Sequence, residues 1–430
     1  MKNLDKYSFA VINILFLLFP IMLILGSFFV NLNIILLIIA TIFFYKSKIF
    51  ELKVNYLDKI IIIFFCYSLV TIIINFFLQK FFGYDFSSKF VTTKTIIFFR
   101  FLVLYLILRF LLTEKILKLN WFSSVCAICA AFVCLDIFIQ FFLGKNIFGF
   151  EPYSDRHYTG VFQDELIVGG YLQKFAIFSF FLPFILKSKL FFKKLFQFII
   201  FLFFLYGIIL SGNRMPLILF AFAFFIFLFL DEKILKYSFI ILIFTSLLIT
   251  LHHKNNLAFR YNVGNFYYHS KNLITIITTK NILDLQPDDP QYGEVLRKPY
   301  VAELACFRSS WKRNPIIGGG VRSFRTFDGG CATHPHNYYL EIISDLGVVG
   351  MTIILILIFT LIKELFINKI FLLNGKITIS NGKILPFLLI FICEFFPLRS
   401  SGSFFSTNNA VIIFIILAVL VSFLNNKQKI

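Results

Sequence analysis

The sequence predicts an all-α polytopic membrane protein, with about twelve transmembrane helices and one long, partly helical loop on the outer face. Three observations predict it. Hydrophobic residues make up 59% of the 430 and charged residues 15%, where a soluble chain carries about a quarter charged. The mean hydropathy is +0.87; aqueous cores stop growing at a few hundred residues, so this apolar excess requires lipid as its solvent. Apolar stretches long enough to cross a hydrocarbon core of about 30 Å recur along the chain, and lysines crowd alternate connectors between them.

The apolar stretches lie at 8–26, 33–45, 59–79, 95–112, 120–143, 167–186, 195–211, 215–230, 237–252, 339–362, 384–397 and 408–425. Lys2 and Lys6 before the first run resemble a signal-peptide start. No small-residue cleavage site follows and more spans do, so a retained first helix is expected. The expected organisation is a bundle of about nine helices over 1–252, an outer loop with a surface helix over 253–338, and closing helices over 339–430.

Charge sets the orientation. Lys46, Lys48, Lys53 and Lys59, then Lys115 and Lys118, then Lys187, Lys189, Lys193 and Lys194, then Lys233 and Lys236, then Lys363, Lys369, Lys376 and Lys383 fall in one alternating set of connectors. Both termini share that side, which the positive-inside rule makes cytoplasmic. The net charge of +19 is therefore a topological signal and not a nucleic-acid surface. The 64 phenylalanines, with many Ile, Lys and Asn, read as the codon bias of an AT-rich genome.

The opposite side carries the polar chemistry: a loop at 144–166, a turn around Ser211 to Arg214, the long loop, and a short loop near 398–407. Within the long loop, 299–313 reads as a helix, opened by Pro299 and stopped by Asn314-Pro315 and the Gly318-Gly319-Gly320 run. Val301, Leu304, Ala305 and Trp311 fall near one of its faces, as on a helix lying on the bilayer. The Asp288-Asp289 pair is flanked by prolines and reads as a turn. An outer loop near Asn31 to Asn33 has no carboxylate, unlike metal-dependent membrane glycosyltransferases. No metal site is expected, because His334 and His336 have no further ligand at zinc-like spacing, and no cofactor is expected.

His336 stands at the mouth of a helix, where an imidazole with a pKa near 6.5 suits a general base; a solvated interfacial histidine is the alternative. Arg214 is either an anchor for lipid phosphate or a clamp for pyrophosphate, whose oxygens a guanidinium fork matches in pairs. Asp164 and Glu165 either cap a helix or orient an acceptor. Cys66, Cys126, Cys129, Cys134 and Cys393 lie in spans and read as small apolar residues. Cys306 and Cys331 share the outer loop and form a disulfide if that side is oxidising.

The run His336-Asn337-x-x-Leu340, followed by Asp345-x-Gly347-x-x-Gly350, resembles the O-antigen ligase and O-antigen polymerase superfamily of integral-membrane glycosyltransferases. Trp311, Asn314-Pro315, Gly318-x-Gly320 and Phe324 resemble the run that precedes this histidine, and 399–405 and 160–166 add to the likeness. Asp345 stands where the family more often has Glu. The resemblance implies an undecaprenyl-pyrophosphate-linked glycan as donor, and lipid A core or a second lipid-linked glycan as acceptor. It also implies inverting transfer without a metal at the periplasmic face of the bacterial inner membrane.

On that reading His336 is the base, Arg214 holds pyrophosphate, and Arg322 and Arg325 assist. Asn337, Asp164, Glu165, Arg260 and Arg399 line the substrate. The family's second arginine, four residues ahead of the Trp, falls here on Phe307; the alternatives are Arg260, Arg308, Arg322 and Arg325. A polysaccharide flippase or other transporter is the competing class. The sequence shows no internal repeat, and its polar residues gather at one face and not at the midplane.

Overall fold

A computed structural model of the chain describes residues 2–82, 89–185, 190–230, 260, 299–326, 331–368 and 382–427. Every regular element among them is helical. The α-helices are α1 (Lys2–Leu17), α2 (Phe19–Leu25), α3 (Ser27–Tyr45), α4 (Tyr56–Phe82), α5 (Lys89–Phe98), α6 (Arg100–Thr113), α7 (Leu119–Leu143), α8 (Val168–Phe175), α9 (Ile177–Ile185), α10 (Leu190–Leu210), α11 (Arg214–Leu230), α12 (Pro299–Arg313), α13 (Tyr338–Ile367), α14 (Leu385–Glu394) and α15 (Thr407–Lys427).

Six helices among the described residues are long and apolar enough to cross a membrane, or seven if the bent pair α1 and α2, meeting at 43°, counts as one span. The segments at 195–211, 215–230 and 384–397 appear as shorter apolar helices. The stretch at 167–186 is broken into α8 and α9, and the expected span at 237–252 lies outside the described residues, as does Asp288-Asp289. Outward-facing side chains are as apolar as the core: Phe43 and Phe359 are each 68% exposed and Ile128 66%. Only a hydrocarbon solvent accommodates such a surface, and the chain is a membrane protein.

One expectation is corrected. Asn31 and Asn33 lie inside α3, and the chain turns instead at Gly26, which has φ 105°. An apolar run flanked by two asparagines looks like a loop in sequence, but Asn33 is buried and donates to the Leu15 carbonyl at 3.0 Å, so its amide holds two helices together.

The chain forms two compact units, each built from distant segments. The first comprises Met1–Lys46, Leu111–Asn272 and Phe366–Glu394. Within it α7 packs against α1, α2, α8, α9 and α10, and α14 against α9 and α11. Phenylalanine supplies the packing: Phe122 stacks on Phe16 at 4.4 Å and on Phe387 at 6.0 Å, and Phe201 on Phe224 at 3.8 Å. A buried ion pair joins Lys174 to Glu394 at 3.6 Å.

The second unit comprises Ser47–Phe110, Leu273–Leu365 and Phe395–Ile430. At one end of it Asp58 and Arg109, both fully buried, form a two-pronged pair at 2.8 and 2.9 Å. Tyr105 also donates to Asp58, and Arg109 donates to Ser422 on α15 at 2.7 Å. An unpaired charge at this depth costs several kcal/mol, so the network pins α4, α6 and α15 in one arrangement.

Candidate active site

The family-like motifs of the second unit fold onto one another through their backbones. The Gly320 amide donates to the Asp345 carbonyl at 2.7 Å, Val348 to Pro315 at 3.0 Å and Val349 to Ile316 at 3.2 Å. The segment after α12 thus adds its hydrogen bonds to a break in α13 at Gly347, where φ is 64° and ψ −171°. A Cβ there would sit 2.2 Å from the Ile316 oxygen, so only glycine fits. From α4, the Tyr67 hydroxyl donates to the carbonyls of Ile317 and Leu346, and Asn75 donates to Gly318.

Two carboxylates one turn apart on α13 then fix the loops beside His336. Asp345 accepts from the amides of Arg322 at 2.7 Å and Phe324 at 2.9 Å, and from the Ser323 hydroxyl at 3.0 Å. Glu341 accepts from the Ser403 hydroxyl and the Phe404 amide. Both side chains are buried. In this fold the acidic residue of the motif shapes the loop that carries the arginines.

Asn337 caps α13. Its oxygen accepts from the amides of Tyr339 and Leu340, and its nitrogen donates to the carbonyls of Pro397 and Arg399, both at 2.9 Å. That accounts for both donors and both acceptor positions of the amide, so in this structure Asn337 joins the start of α13 to the 397–399 segment. Arg399 is buried as well. It lies over the Tyr338 ring at 4.7 Å, and its Nε donates to the Ser401 carbonyl at 3.1 Å.

His336 remains the accessible group. Its side chain is 38% exposed, and its backbone holds a positive φ of 47°, unusual for a non-glycine residue. Its Nε2 lies 3.6 Å from Oε1 of Glu303 on α12, and its ring is 4.2 Å from that of His334. Burial lowers the His336 pKa below the usual histidine value, so the imidazole is unprotonated near pH 7. His334 is pushed down to about 4 by burial, then by His336, Arg325 and Arg322. Burial pushes the Glu303 carboxyl up to about 7.

The two loop arginines differ. Arg322 sits at φ 65° and donates to the Phe405 carbonyl at 2.8 Å. Burial, and then Arg325, lower its pKa. Arg325 is exposed and close enough to act on both His334 and Arg322. Phe307, where the family has arginine, stacks parallel to Trp311 at 6.1 Å. Cys306 and Cys331 are joined by a disulfide with a Cα separation of 5.9 Å, tying α12 to the segment leading to His336. Five thiols should therefore react in the denatured, unreduced protein and seven after reduction. Cys306→Ser should cost about 2–4 kcal/mol of stability; equal counts before and after reduction would show that the bond does not form.

In the first unit Arg214 is the first residue of α11, where the positive end of the helix dipole and unpaired amides favour an anion. Asn213 holds the preceding turn, accepting from the Gly169 amide at 3.0 Å and donating to the Leu166 carbonyl at 3.1 Å. The His157 ring packs against the Gly212 backbone. Burial lowers its pKa first, and Arg156 and Arg214 lower it further, so three basic groups converge at this turn. Sequence reading missed Arg156 and His157, which sit in a loop without a motif. Asp164 and Glu165 are exposed, and α8 starts at an Ile167 cap with no side-chain hydrogen bond, so the expected helix cap is not formed. Arg260 is exposed.

The described residues define an all-helical membrane protein that displays a histidine and arginines on loops at its helix ends. Residues 199–355, from within α10 into α13, match the family model for O-antigen ligase, so this part of the chain is similar to that family. The match includes Arg214, Trp311, the Gly318-x-Gly320 turn, His336 and Asp345. No curated protein matches the chain.

Proposed function

We propose that the chain transfers a glycan from an undecaprenyl-pyrophosphate carrier to an acceptor hydroxyl at the periplasmic face of the bacterial inner membrane. The observation that carries this reading is the placement of a half-exposed, neutral His336 among Glu303, His334 and Arg325, within the segment that matches O-antigen ligase. The acceptor oxygen attacks the anomeric carbon as the bond to pyrophosphate breaks, and His336 takes the hydroxyl proton. The leaving pyrophosphate carries the electron pair, and Arg214, at the α11 N-terminus, binds it. A single displacement inverts the anomeric centre and needs no metal. Arg325 assists, with Arg322 occupied largely by its own loop.

The lysine pattern supports an arrangement near twelve spans with both termini cytoplasmic. The Cys306–Cys331 disulfide supports an oxidising compartment for the loop. Arg214→Ala should lower kcat/KM for the lipid-linked donor by about 10²–10³-fold. Arg214→Lys should recover only part of this, because the fork is lost; an unchanged kcat/KM removes Arg214 from the donor site. Deleting the gene separates the two acceptor classes. Accumulated lipid-linked polymer identifies a ligase acting on lipid A core, and a lost ladder with one retained repeat identifies a polymerase. An unaltered envelope glycan contradicts both.

A further inference from the structure

Glu303 belongs to no motif recognised in the sequence. It lies on α12 in register with Phe307 and Trp311, four and eight residues on, along one face of the helix. The Phe307–Trp311 stack continues that face, and the Cys306–Cys331 bond fixes the same helix to the segment approaching His336. The Glu303 side chain is 17% exposed, and its Oε1 lies 3.6 Å from Nε2 of His336. A carboxylate is rarely buried beside a base unless it answers a charge that forms there.

We infer that Glu303 is the positioning residue of the transfer step, orienting the His336 imidazole and stabilising the imidazolium that forms when the acceptor gives up its proton. This rests on the glycosyl-transfer reading and deepens it. No other atom balance is needed. The acceptor O–H proton goes to His336, the carboxylate of Glu303 holds the resulting cation, and the proton leaves to water after product departs. Other charged groups bear on the same place. His334 lies beside His336 on its own loop, and Arg325 and Arg322 act from the neighbouring turn. These are cationic or neutral, so Glu303 is the anion among the groups described around the ring.

The pH dependence follows. Burial raises Glu303 to about 7 and lowers His336, so the active pair, carboxylate plus neutral imidazole, forms as pH rises through about 7. On the acidic side Glu303 takes up the proton. In Glu303→Gln the limb can report only His336, so it should move to lower pH while the plateau falls about 10-fold or more. Glu303→Asp, which keeps a carboxylate, should retain the limb near 7.

The experiment measures kcat/KM against pH for the full-length wild type, Glu303→Gln and Glu303→Asp in proteoliposomes. In parallel, the pH midpoint for His336 modification by diethyl pyrocarbonate is read by peptide mass spectrometry. A limb and a modification midpoint that both fall in Glu303→Gln, with the disulfide intact, support the assignment. A lower plateau with neither midpoint moved assigns Glu303 to structure alone and overturns it. Wild-type protein without transfer activity but with a modification midpoint that depends on Glu303 overturns the transfer reading and leaves the pair standing.

Discussion

His336→Ala is expected to lower kcat for glycan transfer by about 10²–10⁴-fold, the range that a positioned general base supplies. The fold should survive the change, because among the described residues no backbone group is hydrogen-bonded to the imidazole. The cap of α13 is supplied by Asn337, and the adjoining loop is held by Asp345 and Glu341. The loss should therefore appear in kcat, with expression and melting temperature near wild type. His334→Ala gives the contrast. His334 is held near pKa 4 by burial and its basic neighbours, so it is a poor proton acceptor near pH 7 and its loss should cost far less. Activity that survives in His336→Ala and is lost in His334→Ala would move the base by two residues.

Gly347→Ala is expected to destabilise the protein by about 3 kcal/mol or more, through a backbone conformation reserved for glycine and a collision with a carbonyl. The collision cannot be relieved locally. The Ile316 oxygen that a Cβ would meet also accepts from Val349, and Pro315 beside it accepts from Val348. Moving that strand of chain also releases Gly320 from Asp345 and with it the turn carrying Arg322 and Arg325. Denaturation of the detergent-solubilised variant should show a lower melting temperature together with lost transfer. Gly170→Ala is the matched control. Its Cβ meets nothing within 4 Å and its backbone is ordinary helix, so stability should hold or rise slightly. Equal melting temperatures for the two variants would mean that the break in α13 is not a constraint.

Much of the fold was legible because hydropathy reports length and solvent directly. The spans at 59–79, 120–143 and 408–425 reappear as α4, α7 and α15 with ends shifted by a few residues. The helix at 299–313 was legible from Pro299 and the glycine run, and α12 has those bounds. What failed has physical reasons. Asn31 and Asn33 signal a loop by residue type, yet a membrane helix accommodates asparagine where its amide finds a carbonyl. The break between α8 and α9 leaves no trace in hydropathy, because both halves are apolar.

At the site, motif spacing pointed to segments that fold onto one another, but not to the bonds each residue makes. Asn337 and Arg399 stand out in sequence because they are polar and sit in motifs; the Asn337 amide and the Arg399 Nε bond to the protein's own loops. Asp345 looked like a substitute for a glutamate and proves to be the clasp of the arginine turn. Glu303, Arg156 and His157 carried no signal, since each gains meaning only from a neighbour distant in sequence.

The most direct test reconstitutes the purified, full-length protein with an undecaprenyl-pyrophosphate-linked oligosaccharide and a glycan acceptor, and measures product together with released undecaprenyl pyrophosphate. The account predicts equal amounts of glycosylated acceptor and freed carrier, formed with the anomeric configuration inverted, in buffer containing a chelator. Carrier moved across the bilayer with its glycan still attached, or left untouched, would contradict it.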